Sequence, residues 1–142
     1  MALPKYLSKE WLAQVMEKSK TDQDYLSKVK GFDAHIRQVA TDCPGNVDVL
    51  MTYELKDGYV KATRDEKPAP SQWRQLKNDD PFLSTAISPY EVMVKMHKGE
   101  LDARTAYDKK MLTFHASMLK VAAKASKLNA WNAMVSSVKC EY

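Results

Sequence analysis

Three histidines and two cysteines are the most reactive side chains in this sequence. His35, His97 and His115 do not form the HxxxH or HExxH spacings of a zinc site. Cys43 and Cys140 lack CxxC spacing, so we expect two free thiols rather than a disulfide or metal ligands. These residues therefore predict no metal site.

Other catalytic patterns are also missing from the sequence. No serine stands in a G-x-S-x-G elbow, and the four glycines do not form a phosphate-binding loop. The carboxylate pairs Asp65–Glu66 and Asp79–Asp80 lie in polar stretches, where we expect them to be solvated. We therefore expect a protein that is not an enzyme and has no cofactor.

Methionine is the more informative residue type. The chain has eight, and six fall on predicted core faces, namely Met51, Met93, Met96, Met111, Met118 and Met134. Because Met is flexible and polarizable, it suits irregular or adaptable apolar surfaces. The pattern fits either gap-filling in a dry core or the wall of a deformable cavity.

Composition limits the classes of protein further. A chain of 142 residues with 44% hydrophobic and 28% charged residues suits one globular domain. It has no apolar run long enough to span a membrane, and Met1–Lys5 lacks the apolar run of a signal peptide, so we expect a cytoplasmic protein. The net charge of +4 predicts a mixed solvated surface or attraction to anionic lipid headgroups. No motif or aromatic–basic platform indicates nucleic-acid binding.

Hydrophobic periodicity predicts helices first and then a sheet. Two amphipathic helices are expected at the N-terminus, over Leu7–Ser19 and Asp22–Lys30. Three strands follow, over Phe32–Ala40, Val47–Leu55 and Tyr59–Arg64, and Asp57-Gly58 predicts a tight hairpin between the last two. The polar stretch Asp65–Asp80 is predicted as a loop, with a helical turn around Ser71–Leu76 and Trp73 as its large apolar anchor.

The second half of the chain is predicted as strand, helix, short helix, strand and long helix. Ser88 is the predicted cap of the first of these helices, with Pro89 at its first position, and Asp102 is the predicted cap of the second. Apolar residues spaced by three or four predict one long helix over Ser117–Val138. The strands are predicted at Phe82–Ile87 and Met111–His115.

Four segments in this half resemble the sterol carrier protein 2 (SCP-2) sterol transfer family, in the manner of a bacterial or archaeal stand-alone domain. The Trp11 helix and the Leu55–Val60 hairpin also lie where such relatives have theirs. Lys109 and His115 stand at or near positions where the family usually has glycine. The matching segments are Ile87-Ser88-Pro89-Tyr90-Glu91, Lys98-Gly99-Glu100-Leu101-Asp102, Ala106-Tyr107 and Lys109-Lys110-Met111-Leu112.

The resemblance implies an α+β layered domain. Its sheet would be largely antiparallel with about five strands, covered by helices, with an apolar tunnel between the layers. Residues 1–142 would form a single lipid-binding domain. Its parts are a helical layer (1–31), strands and hairpin (32–66), a loop (67–80) and a strand-helix-strand-helix core (81–138).

The resemblance also implies non-enzymatic binding or transfer of fatty acids, acyl-CoA, sterol-like lipids or phospholipids. The C-terminal helix and the Trp73 loop would gate the tunnel. The residues expected to line it are Met93, Met96, Leu112, Phe114, Met118, Val121, Leu128, Trp131 and Val135. A headgroup or CoA diphosphate would meet Lys95, Lys98, Arg104, Lys109 and Lys110.

Two other functions remain open at this point. The domain could be an interaction or regulatory subunit whose apolar groove is filled by a partner or by a second copy. It could instead present acyl-CoA thioesters to an enzyme. The expected partners are a lipid or acyl-CoA ligand and a transient anionic membrane surface; oligomerisation is open, and no nucleic acid is expected.

Overall fold

The computed structural model describes residues 2–142, and within them it has six α-helices, five strands and one short 3₁₀ helix. The α-helices are α1 (Lys9–Thr21), α2 (Gln23–Lys28), α3 (Tyr90–His97), α4 (Ala103–Asp108), α5 (Met118–Ala123) and α6 (Ala125–Ser136). The strands are β1 (Ala34–Cys43), β2 (Val47–Lys56), β3 (Tyr59–Pro68), β4 (Phe82–Pro89) and β5 (Thr113–Ala116), and the 3₁₀ helix is Gln72–Gln75. The predicted α+β class is confirmed.

The strands form one open sheet in the order β3-β2-β1-β4-β5. Only the central β1–β4 pair is parallel, and the other three pairs are antiparallel, as expected for a largely antiparallel sheet. The predicted hairpin joins β2 to β3. Its turn requires glycine, because Gly58 has φ +82° and an added Cβ would come 2.2 Å from Cγ2 of Val29.

Side chains alternate along each strand between two faces of the sheet. We call the face that α1, α2 and α6 cover the helical face. There β1, β2 and β3 bury a continuous set of apolar side chains, namely Ile36, Ala40, Val49, Met51, Tyr53, Leu55 and Val60. Trp11 Nε1 of α1 donates a hydrogen bond to the carbonyl oxygen of Val138 at 3.2 Å, which ties α1 to the chain that follows α6.

The opposite, outer face carries a small apolar cluster. Trp73 of the 3₁₀ helix packs there against Val39 of β1 and Ile87 of β4. The sequence resemblance predicts that the Trp73 loop gates a tunnel under the helices. That expectation is wrong in this structure, because the sheet itself separates Trp73 from the helical layer.

A buried ion pair holds the 3₁₀ helix to the sheet. Arg74 donates to the two carboxylate oxygens of Asp48 at 2.9 Å each, and Ser71 donates to the same carboxylate through its N–H and its hydroxyl. The Asp48 side chain is fully buried. The backbone N–H of Asp42 also donates to Asp48, at 3.1 Å. The Arg74 guanidinium, the two Ser71 donors and this N–H together hold the pKa of Asp48 well below its usual value.

Several predicted boundaries are corrected. The long helix Ser117–Val138 is two helices, because Lys124 has φ −114° and ψ 11°. The break lets α5 lie against β4 while α6 packs on α1 and α2, which one straight helix could not do. Ser88 does not cap α3. It pairs with Ala40 inside β4, which runs on to Pro89, and Pro89 stands at the N-cap without a side-chain cap bond.

The strand ends also shift. β1 runs from Ala34 to Cys43 instead of Phe32 to Ala40, with a register shift between Ala40 and Cys43. β3 continues to Pro68, into the predicted loop, because it pairs with β2 along its full length. The predicted cap Asp102 is confirmed, since its carboxylate accepts the N–H of Thr105 at 2.8 Å.

Candidate functional site

The helical face has two parts that differ in side-chain size. Over β1–β3 it is filled by the large buried residues described above. Over β4 and β5, which we call the β4–β5 half, strand pairing places short side chains and one aromatic ring on the same face. These are Ser84, Ala86, Ser88, Phe114 and Ala116.

Helix α5 lies against the β4–β5 half, and its packing is light. It lies against β4, yet none of its six residues is buried. Val121 is partly buried, whereas Met118 and Leu119 are 66% and 84% exposed. A helix with so few buried apolar contacts is among the first parts of a fold to open.

The nine residues predicted to line a tunnel fall into two groups. Met93 and Trp131 are buried in the main core, and Met96, Leu128 and Val135 are partly buried against it. The other four, Leu112, Phe114, Met118 and Val121, come from β5, α5 and the segment before β5, and all are partly or largely exposed. The structure thus brings together five of them, all on α3 and α6, while ligand contact stays a prediction for all nine.

Trp131 carries an unusual polar group for the middle of an apolar layer. Its ring packs edge-on against Tyr53, with centroids 5.1 Å apart, and the residue is 2% exposed. Its indole Nε1 has no hydrogen-bond partner among residues 2–142. A buried donor without an acceptor costs about 1–3 kcal/mol. The helical spacing of α6 predicted the apolar position of Trp131 and gave no sign of this donor.

The five predicted headgroup residues are all exposed on and around α3 and α4. Arg104 is held by Asp108, with 3.2 Å between its Nε and a carboxylate oxygen. Lys98 Nζ lies 4.8 Å from the centroid of the Tyr142 ring. Lys109 and Lys110 follow α4 directly and make no salt bridge within the described chain. These two of the five are adjacent in the sequence, and neither is held by a carboxylate of residues 2–142.

A histidine and a cysteine meet near the C-terminus without forming a nucleophilic pair. Cys140 Sγ lies 3.9 Å from His97 Nδ1, which also hydrogen-bonds the Tyr142 hydroxyl. Burial raises the pKa of the Cys140 thiol and lowers the pKa of His97. A reactive cysteine needs a depressed pKa, whereas the pKa of this thiol is raised. Both cysteines of the chain are free, as predicted.

Two surface grooves lie elsewhere. One of about 440 Å³ is lined by α1 and residues 137–139, and the other, of about 230 Å³, lies between α2 and α6. Neither includes a predicted lining residue. Residues 2–142 contain no group of three potential metal ligands. No helix within that range has the length and apolar content needed to cross a bilayer.

Comparison with known proteins identifies the architecture. No protein-family model and no curated protein matches the sequence. Solved structures do match, beginning with a crystal structure of sterol carrier protein 2, at TM-score 0.72 and 12% identity, over 95% of this chain and 100% of that one. A conserved protein of Thermus thermophilus, described as a candidate sterol carrier protein, matches at TM-score 0.70 and 10% identity, over 99% of this chain and 94% of that one.

A third structure extends the comparison to an insect. Sterol carrier protein domain 2 of Helicoverpa armigera matches at TM-score 0.57 and 17% identity, over 94% of this chain and 90% of that one. Identities this low establish the shared architecture alone. The resemblance drawn from the sequence is confirmed at that level: this chain has the sterol carrier protein 2 fold.

Proposed function

We propose that this chain is a non-enzymatic binder of lipids with an acyl or similar apolar chain. The ligand would lie between α5 and the β4–β5 half of the sheet, bordered by Met93, Met96 and α6. The observation that carries the proposal is that α5 covers β4 without burying any of its own residues. Such a helix can move aside at small cost in lost contacts.

Apolar burial supplies enough free energy for this role. Each buried methylene contributes about 0.8 kcal/mol, so a chain of a dozen carbons offers a gross gain near 10 kcal/mol. Association and ordering costs are subtracted from that gain. Little polar recognition is required, which favours a broad ligand range, and a ligand oxygen reaching Trp131 Nε1 would satisfy its free donor.

The similar structures support this class of function without specifying the ligand. Two of them are named as sterol carrier proteins or domains, and a third is described as a candidate. Because their sequence identity to this chain is at most 17% among those compared, their ligands are hypotheses here. Fatty acids, sterol-like lipids, phospholipids and acyl-CoA are the classes to compare.

The direct test is titration with a fluorescent polyene fatty acid, comparing Phe114→Trp with Thr113→Trp. Phe114 lies on the helical face of β5, whereas the neighbouring Thr113 lies on the outer face and is exposed. The larger ring at position 114 should lower affinity about tenfold or more by occupying ligand space, while the matched control binds normally. Equal affinity in both variants would contradict the proposed site.

The class of the ligand can be identified from lipid that co-purifies with the protein. Mass spectrometry of an organic extract of gently purified protein, with a denatured aliquot as control, would reveal a co-purified lipid. Thermal stabilisation is the companion measurement, since about 2.7 kcal/mol is expected at a hundredfold excess over Kd. A blank extract together with no stabilisation by fatty acid, sterol or acyl-CoA would favour the interaction-subunit function, with the groove filled by a protein partner or a second copy.

Acyl-CoA presentation is a second candidate, favoured by the adjacent cations Lys109 and Lys110. If they contact the CoA diphosphate, replacing both with glutamate should weaken palmitoyl-CoA binding far more than palmitate binding. The charge-matched control is Lys9→Glu with Lys20→Glu, at exposed positions on α1. An equal loss for palmitate and palmitoyl-CoA would rule out a specific CoA contact.

A further inference from the structure

The most exposed large apolar side chains in the described chain are neighbours on α5. Met118 and Leu119 are 66% and 84% exposed. At about 100° per residue, Met118, Ala122, Leu119 and Ala123 share one arc of the helix, and all four are exposed. Val121, which is partly buried, lies on the side that faces the sheet. The apolar arc of α5 therefore points away from the protein.

The segment around α5 carries basic side chains and no acidic ones. Residues 109–140 contain six lysines and no aspartate or glutamate. The remaining 110 residues hold the other 16 of the 22 basic residues and all 18 acidic ones, so they carry a net charge of −2. All of the positive excess of this chain thus lies in the segment that contains α5. An apolar helix face in a purely basic segment is the composition of an interfacial helix.

Lys124 holds the break between α5 and α6 against the start of the sheet. It stands at the break before α6, donates to the carbonyl oxygen of Asp33 at 2.9 Å, and lies 5.8 Å from the centroid of the Phe32 ring. The break separates the orientation of α5 from that of the core helix α6. Lys120, on α5 itself, is exposed.

Several acidic side chains lie near this end of the sheet, and one of them is paired with a cation. Asp33 accepts the N–H of Asp57 at 2.7 Å, and Asp79, just before β4, is paired with Arg37 at 2.9 Å. Asp80 is the exposed carboxylate that remains in that turn. A second copy of the chain is a poor occupant for the α5 face, because pairing two such faces would bring two purely basic segments together.

We propose that α5 docks this chain on an anionic membrane surface. Met118 and Leu119 enter the interface between headgroups and acyl chains, and Lys120 with its neighbouring lysines meets the anionic headgroups. The proposal goes beyond lipid binding in the interior and does not require it. It places the lightly covered β4–β5 half next to the bilayer.

Vesicle co-sedimentation tests the proposal without any interior ligand. The protein should bind phosphatidylcholine vesicles that contain phosphatidylglycerol, bind pure phosphatidylcholine vesicles weakly, and lose most binding at high salt. Leu119→Glu should lower the affinity for the anionic vesicles about tenfold or more. Leu3→Glu is the matched control, since Leu3 is 46% exposed at the opposite end of the chain. It should leave binding nearly unchanged.

Three results would overturn the proposal. One is equal binding by Leu119→Glu and the control, and another is equal binding to both vesicle types. The third is a wild-type dimer that Leu119→Glu converts to monomer, which would assign the face to a second copy. Fatty-acid titration of the wild-type chain separates the two ideas: normal fatty-acid affinity with no binding to anionic vesicles refutes docking alone.

Discussion

The two parts of the helical face show how one sheet can carry large buried apolar side chains in one part and small side chains near a lightly packed helix in the other. Over β1–β3, residues such as Val49, Met51 and Tyr53 are at most 1% exposed beneath α1, α2 and α6. Over β4 and β5 the strands present serine, alanine and one half-covered phenylalanine beneath α5. The difference places fold stability in the first part, and the second part is where we propose that a ligand binds.

The largest expected difference is in the unfolding free energy lost when a leucine is shortened on α1 and on α5. Leu12 of α1 is 2% exposed and Leu119 of α5 is 84% exposed. Leu12→Ala should lower the free energy of unfolding by about 2–5 kcal/mol. Leu119→Ala should change it by less than about 0.5 kcal/mol. Urea denaturation measures both, and similar losses would mean that α5 contributes to the core as much as α1 does.

The outer face supplies a pH-dependent prediction. Because the folded-state pKa of Asp48 lies well below its value in the unfolded chain, this carboxylate contributes stability that is fully present above about pH 4. That contribution is lost as the pH falls below about 4 toward the folded-state pKa. Unfolding free energy measured between neutral and acid pH should fall less steeply for Asp48→Asn than for wild type. Parallel curves would contradict the role of the Asp48–Arg74 pair.

The smallest expected difference in unfolding free energy is between variants of two buried tryptophans. Trp11→Phe removes a hydrogen bond to the Val138 carbonyl, whereas Trp131→Phe removes a donor without a partner. With similar losses of ring volume, Trp11→Phe should cost about 1 kcal/mol more in unfolding free energy. Thermal or urea unfolding of the two variants gives the difference. A larger loss for Trp131→Phe would show that its N–H is satisfied in solution.

Local signals in the sequence predicted most of the fold. The alternation of β2, the Asp57-Gly58 turn and the Asp102 cap each depend on residues a few positions apart, and all three are confirmed. The helix break at Lys124 could not be predicted, because the three-and-four spacing of Val121, Ala125 and Leu128 runs through it. The break follows from packing α5 and α6 on different parts of the protein.

The candidate site could be predicted less well, because its arrangement also depends on how separate parts of the protein pack together. On the outer face, outside the site, the pairing of Asp48 with Arg74 shows the same limit, since it joins residues 26 positions apart that only the fold brings together. Periodicity also could not separate the buried Trp131 from the exposed Met118, since both occupy the apolar stripe of one predicted helix. Their different burial depends on the break between them.

Amide hydrogen exchange with and without saturating fatty acid tests the central claim most directly, because it reports each part of the sheet separately. Without ligand, amides of α5 should exchange much faster than those of β2. With ligand, protection should rise across 82–89 and 113–123 and stay unchanged in the already protected 47–56. Protection gained elsewhere, or none at saturation, would contradict a lipid site between α5 and the β4–β5 half.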